Sequence, residues 1–176
     1  MSKTKDVIDL KLKSQDMING RYRIQEILST VGASCIVYKA FDTEKQVDVV
    51  LKVFSEKWPK MLQRREVEAM QGIDHPNIVK LVDHHFSQGQ GDLSYLVMTE
   101  IGQVQDLFDY LQTFESKRIS EEEALDILRQ LLDAVEYLHD EKVVHKDIKL
   151  ENVLIDQKKK VTLIDLGLAI KAVDHR

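Results

Sequence analysis

The sequence lacks what would send it to a membrane, a secretory route or a nucleic acid. Only one of its 176 residues is cysteine, Cys35, so no internal disulfide can form, and this usage fits a reducing compartment. The start, MSKTKDVIDLKLKS, has no apolar h-region of secretory type, and Ser2 stands where myristoylation requires glycine. No apolar run is long enough to span a bilayer. Basic excess is missing too: 25 Lys and Arg against 30 Asp and Glu leave a net charge of -5, with no electrostatic footprint for nucleic acid. There is no internal repeat and no low-complexity tract. What remains is an ordinary globular composition, 43% hydrophobic and 31% charged, at a length suited to one domain or a little more. The chain therefore reads as intracellular, cytoplasmic with the nucleus left open, and neither a membrane nor a nucleic acid is expected as its partner.

Residues 1–21 mix charges with scattered Val, Ile and Leu and end in the turn signal Asn19-Gly20, which reads as an extension or a strand leading in. From Tyr22 the texture is that of a β meander. Tyr22 to Leu28, Ile36 to Phe41 and Val47 to Phe54 are β-branched and aromatic runs separated by polar breaks. Lys60 to Gln71 has helix formers and stops before Gly72. After the His75-Pro76-Asn77 turn, Ile78 to Phe86 and Leu93 to Thr99 complete a small five-stranded antiparallel sheet with one helix. Helices follow: Asp106 to Phe114, then a long one to His139 opened by a Ser120/Glu123 capping box. Its apolar positions, from Ala124 and Leu125 to Val135 and Leu138, fill about half the wheel, more than the ~100° stripe of a surface helix. Such a helix expects cover on more than one side, and a partner on its apolar face is one way to supply it. Val143 to His145, Val153 to Ile155 and Val161 to Ile164 are short strands, the last two joined through Asp156, Gln157 and a lysine run, Lys158-Lys159-Lys160, that reads as a solvated turn or a localisation signal.

Chemistry concentrates between His145 and Gly167. Asp147, Lys149 and Asn152 share a polar loop after an apolar strand. A carboxylate there can accept a hydroxyl proton, an ammonium can offset charge on a transferring phosphoryl group, and a carboxamide oxygen can ligate a hard cation. Asp165 lies among apolar residues before Gly167; it is either turn chemistry or, with Asn152, a site for Mg²⁺, which is usually bound by one or two carboxylates plus substrate phosphates. Lys52 alternates with Val50 and Phe54 on one face of its strand. Either it snorkels to water, or Glu66 on the following helix holds it toward a phosphate.

These segments resemble the eukaryotic-type protein kinase family. The family's HRDLKxxN appears as HKDIKLEN at 145–152, its DFG as DLG at 165–167 and its VAIK as VVLK at 49–52; counting back from His75-Pro76-Asn77-Ile78 puts its helix glutamate at Glu66. The resemblance covers roughly Tyr22 to Lys171. It implies an α+β fold: an N-lobe over 22–101, then the first, mainly helical part of a large lobe over 102–176, behind an extension over 1–21. It implies ATP and Mg²⁺ as cofactors and a protein as substrate or partner. By the resemblance Asp147 is the base and Asn152 and Asp165 hold Mg²⁺, while Lys52, held by Glu66, meets phosphate. Lys149 is similar to the serine/threonine branch. Thr99 becomes the gatekeeper, Glu100 to Gly102 the adenine hinge and Asp106 the ribose contact. Val37, Val50 and Leu154 sandwich the adenine, and Met70, His145 and Leu166 stack as a spine.

Departures are local. The family's GxGxxGxV becomes TVGASCIV at 30–37, so Gly32 survives while Thr30 and Cys35 replace two glycines. If those positions need positive φ, each costs on the order of 1 to 2 kcal/mol. Val50 replaces an alanine, Lys146 an arginine whose bidentate fork is lost, and Leu150 a proline. Nine residues follow Gly167, before any activation segment or APE motif, so the chain is expected to be truncated, with its own activity in question. Two functions follow: a serine/threonine protein kinase domain, or a catalytically inactive kinase-like module acting by nucleotide or partner binding.

Overall fold

The β-branched alternation of the first half produces a curled antiparallel sheet, seen in a computed structural model that describes residues 12–31, 34–89 and 91–172. Contacts divide the chain into two units: one holds the chain through Gln63 with Leu81–Glu100, the other Arg64–Lys80 and the chain from Ile101 onward.

In the first unit, strands β1 (Met17–Ile18), β2 (Tyr22–Val31), β3 (Cys35–Asp42), β4 (Val47–Phe54), β5 (Leu81–His85) and β6 (Tyr95–Thr99) pair in the order β1-β2-β3-β4-β6-β5. The sheet is thus one strand wider than the five expected. Part of the presumed extension joins it, because Asn19 and Gly20, both at positive φ, fold Ile18 back opposite Tyr22. Period-2 alternation then sorts the faces. Ile36, Tyr38, Val49, Leu51, Tyr95 and Val97 are buried in one core cluster, while Val37, Val50 and Lys52 are half-buried on the other face. Across strands, Arg21 forks onto Asp42 at 2.9 and 2.7 Å and reaches Asp83 at 3.3 Å. Tyr22 donates to the same Asp83 at 2.8 Å.

The second unit takes in Glu66 and Met70 of helix α1 (Lys60–Met70). Strand β7 (Val104–Asp106) leads into α2 (Leu107–Gln112), capped by Asp106, whose carboxylate accepts from the Asp109 N–H at 2.8 Å. The long helix α3 (Glu121–Asp140) is capped by Ser120. The expected capping box is half made: the Ser120 hydroxyl accepts from the Glu123 N–H at 3.1 Å, but the Glu123 carboxylate goes to Tyr110 and Lys159 instead. Packing of α3 on β8 (Val143–Val144) and on β10 (Val161–Leu163) buries Ile127, Ala134 and Leu138. Its other apolar positions are less covered, with Leu125 42%, Leu128 48% and Leu132 56% exposed. Strand β9 (Val153–Asp156) lies between β7 and β10, and β11 (Ile170–Lys171) pairs with β8. Segment 75–79 runs beside β10: Leu163 N–H donates to Asn77 O and Val79 N–H to Leu163 O. Among the described residues no helix is long and apolar enough to cross a membrane.

Candidate active site

The residues of the loop over 145–152 meet in the second unit. His145 follows β8, which stops one residue short of the strand expected to His145, and is 2% exposed. Its Nε2 faces the Ile164 carbonyl at 3.1 Å, so Nε2 carries the proton, and Nδ1 accepts from the Asp147 N–H at 3.3 Å. Burial pushes the imidazole pKa down, which favours this neutral form. The loop then turns through Lys146 at φ 69, a left-handed conformation that β-carbon sterics disfavour. That turn brings Asp147 against Lys149, at 2.9 Å, and Asn152, whose amide donates to the Asp147 carbonyl at 2.8 Å and to Asp147 Oδ2 at 2.9 Å. The Lys149 hydrogen bond, reinforced by that from Asn152, holds the Asp147 carboxyl below the ordinary carboxylate range against burial and the nearby negative charge of Asp165.

Asn152 ends a short 3-10 turn, Leu150–Asn152, and leads directly into β9. Asp165 follows β10 by two residues, so the β9–β10 hairpin carries one residue at each end. Ile164 N–H donates to Asn152 O at 2.9 Å and ties those ends together. Asp165 adopts φ 62, and its Oδ1 accepts from the Gly167 N–H at 3.3 Å. The donor set would suit a hard cation that retains phosphate and water ligands: with both Asn152 amide protons directed at Asp147, its oxygen would be the ligating atom, and Asp165 would supply one carboxylate. Among the described residues there is no group of three His, Cys, Asp or Glu that would make an all-protein metal cage. Leu154, half-buried on β9, sits opposite both Thr162 and Asp106. Gly102 takes φ 84, with open space where a β-carbon would stand. Glu66 on α1 is 3% exposed, and Met70, His145 and Leu166 are all buried.

In the first unit, Val37 and Lys52 are direct partners across β3 and β4, and the Lys52 ammonium stands 5.8 Å from the Phe54 ring centroid. Thr99 ends β6 opposite Val49, whereas Met98 lies opposite Val50. Met98 thus shares the face of Val50 and Lys52; strand alternation in β6 was the signal that could have singled it out. Glu100 faces Lys39 at 3.5 Å. Thr30 is paired with Ile36, while Gly32 lies outside the described residues. Cys35 opens β3 opposite Phe54 and is 1% exposed, an inert position for a thiol. Neither Thr30 nor Cys35 has positive φ, so the conformational cost expected for losing glycine there does not arise.

Comparison with known proteins identifies the family. The family model for the protein kinase domain matches residues 23–176. The chain belongs to the protein kinase family. Its relatives include a putative ribosomal protein S6 kinase alpha-2 of Caenorhabditis elegans, 37% identical over 78% of this chain and 18% of the relative. The serine/threonine-protein kinase PLK4 of Drosophila grimshawi is 34% identical over 88% of this chain and 21% of that protein. A probable serine/threonine-protein kinase, fhkD of Dictyostelium discoideum, is 32% identical over 88% and 21%. The chain thus spans about a fifth of the length of the curated relatives it matches.

Proposed function

We propose that this chain is a serine/threonine protein kinase domain that transfers a phosphoryl group from Mg-ATP to a protein hydroxyl. The observation that carries the reading is the loop in which Asp147, Lys149 and Asn152 are hydrogen-bonded together. Both side-chain bonds to Asp147 fall on Oδ2, which leaves Oδ1 to accept the proton of an incoming hydroxyl. With its pKa depressed, Asp147 is a carboxylate at neutral pH and is ready for that task. Lys149 lies where it offsets negative charge as the oxygen attacks. When bound, Mg-ATP supplies the transferable phosphoryl group and the divalent charge that screens it. Asn152 and Asp165 hold the cation; in the first unit Lys52 takes the phosphate role, Thr99 the gatekeeper role and Glu100 a hinge role, and in the second unit Glu66 and Gly102 take the helix-glutamate and hinge roles that the resemblance implies. Val37 and Val50 in the first unit and Leu154 in the second take the roles that the resemblance gives them toward the base, Asp106 that toward the sugar and Thr30 that toward the phosphates; Gly32, read in the same role, lies outside the described residues.

One observation favours the alternative, a kinase-like module acting through a partner: the exposed leucines of α3 form an apolar stripe. Thermal denaturation with and without Mg-ATP separates the two. Cation-dependent stabilisation, abolished in Asp165→Ala, is expected of an intact site; no shift at millimolar nucleotide contradicts nucleotide binding.

A further inference from the structure

The lysine run at the β9–β10 turn is not simply solvated. Tyr110 OH donates to Glu123 Oε1 at 2.5 Å, and the Lys159 ammonium pairs with the same oxygen at 2.8 Å while also donating to Tyr110 OH. That ammonium lies 4.3 Å from the Tyr110 ring centroid. Lys159 is held by its backbone as well, with φ 64 and its carbonyl accepting from Gln130 Nε2 at 2.9 Å. Three segments of the second unit, α2, α3 and the β9–β10 turn, therefore converge on one cation.

Two of those segments lead to residues assigned above to the nucleotide. Tyr110 belongs to α2, a helix of 6 residues, too short to persist without tertiary ties. Asp106 caps that helix through Oδ1, which leaves Oδ2 for a sugar hydroxyl. The turn bearing Lys159 closes the hairpin whose first strand holds Leu154 opposite Asp106. Glu123 brings Tyr110 to α3 and shares its oxygen with Lys159, and Lys159 carries the tie on to the hairpin.

We propose that Lys159 is a positioning residue for the sugar end of the nucleotide site: by fastening Tyr110 to the β9–β10 turn it fixes Asp106 relative to Leu154. The proposal rests on the nucleotide-binding reading given above. Calorimetric titration of the chain with Mg-ATP and with the Mg complex of 2′,3′-dideoxy-ATP tests it. The unaltered chain should prefer ATP by about tenfold, the worth of a hydrogen bond to a charged acceptor. Lys159→Met should weaken ATP about threefold and leave the dideoxy nucleotide unchanged, because a partly exposed pair contributes little more, and Lys159→Arg should restore the preference. If Lys159→Met melts early, Glu123→Gln, which loosens the same ammonium, repeats the comparison. A variant that keeps the full preference, or loses both nucleotides equally, overturns the positioning role while leaving nucleotide binding intact. An unaltered chain that binds both equally removes Asp106, and Lys159 with it. No binding of either overturns the underlying reading.

Discussion

Arg21–Asp42 and Lys149–Asp147 are both cation–carboxylate pairs, at 2.7 and 2.9 Å, yet they are built in opposite ways. Asp42 is wholly buried, with both oxygens engaged by the Arg21 fork and further bonds from the Glu44 and Lys45 N–H groups at 3.0 and 3.1 Å. Asp147 is partly exposed, takes both side-chain partners on one oxygen, and stands beside a left-handed Lys146. A buried carboxylate that accepts from four N–H donors, three on Oδ1 and one on Oδ2, is committed to structure; its value is to tie the ends of β2 and β3 together. A carboxylate held by one edge, in a loop that tolerates backbone strain, is available to chemistry. Loss of the first should therefore weaken the fold substantially, and loss of the second should leave it nearly as stable.

The largest stability effect is expected at the buried pair. Asp42→Ala should lower unfolding free energy by about 3 kcal/mol in urea denaturation, the low end for breaking a buried pair, since Arg21 keeps Glu44 and Asp83 nearby. The pair also has an acid signature. The Arg21 fork holds the Asp42 pKa down at about 2, so its contribution is complete above the ordinary value of 3.8 and fades as pH falls toward 2. Asp42→Ala should flatten that acid limb, and an unchanged limb would place the titrating group elsewhere.

Cys35→Gly comes next. A glycine there restores the family's pattern but removes a buried side chain from a strand, for a loss of about 1 to 2 kcal/mol. Mg-ATP affinity measured alongside should not improve; a gain near tenfold would mean that the loop needs glycine after all. Asp147→Asn should cost less than about 1 kcal/mol, as partly exposed pairs do. A loss as large as that of Asp42→Ala would erase the contrast between the two pairs. His145 should produce the gentlest signal. Its pKa lies below 6.5 because it is buried, so stability is full above pH 6.5 and declines as pH falls through the lowered value. His145→Gln should remove that part of the slope in a pH series of melting temperatures.

The grouping of the candidate site was legible because motif chemistry is local: HKDIKLEN and DLG single out Asp147, Lys149, Asn152 and Asp165 by residue type and spacing, and the fold brings these into one loop and one hairpin. The β meander was legible from alternation alone, with Val47–Phe54 beginning and ending where the pattern does. What sequence could not carry depends on partners far along the chain. Strands β1, β7 and β11 have two or three residues each, too few for periodicity, and exist because a neighbouring strand pairs with them. Glu123 satisfies the capping-box pattern locally, but Tyr110 and Lys159 compete for its carboxylate. Lys159 sits in a run of polar residues that looks solvated until α2 and α3 arrive beside it. Asp106 was read as the first residue of a helix, whereas it lies just before α2, since a cap and a first turn look alike in sequence.

Phosphoryl transfer to a serine-containing protein substrate, measured for the unaltered chain and for Asp147→Asn at matched Mg-ATP occupancy, bears most directly on the central claim. Transfer by the unaltered chain is expected, with a fall of about 10²- to 10⁴-fold in the variant, the range for removing a general base, and with nucleotide affinity and melting temperature nearly unchanged. Transfer that survives Asp147→Asn, or an unaltered chain that binds Mg-ATP and transfers nothing, would contradict that claim.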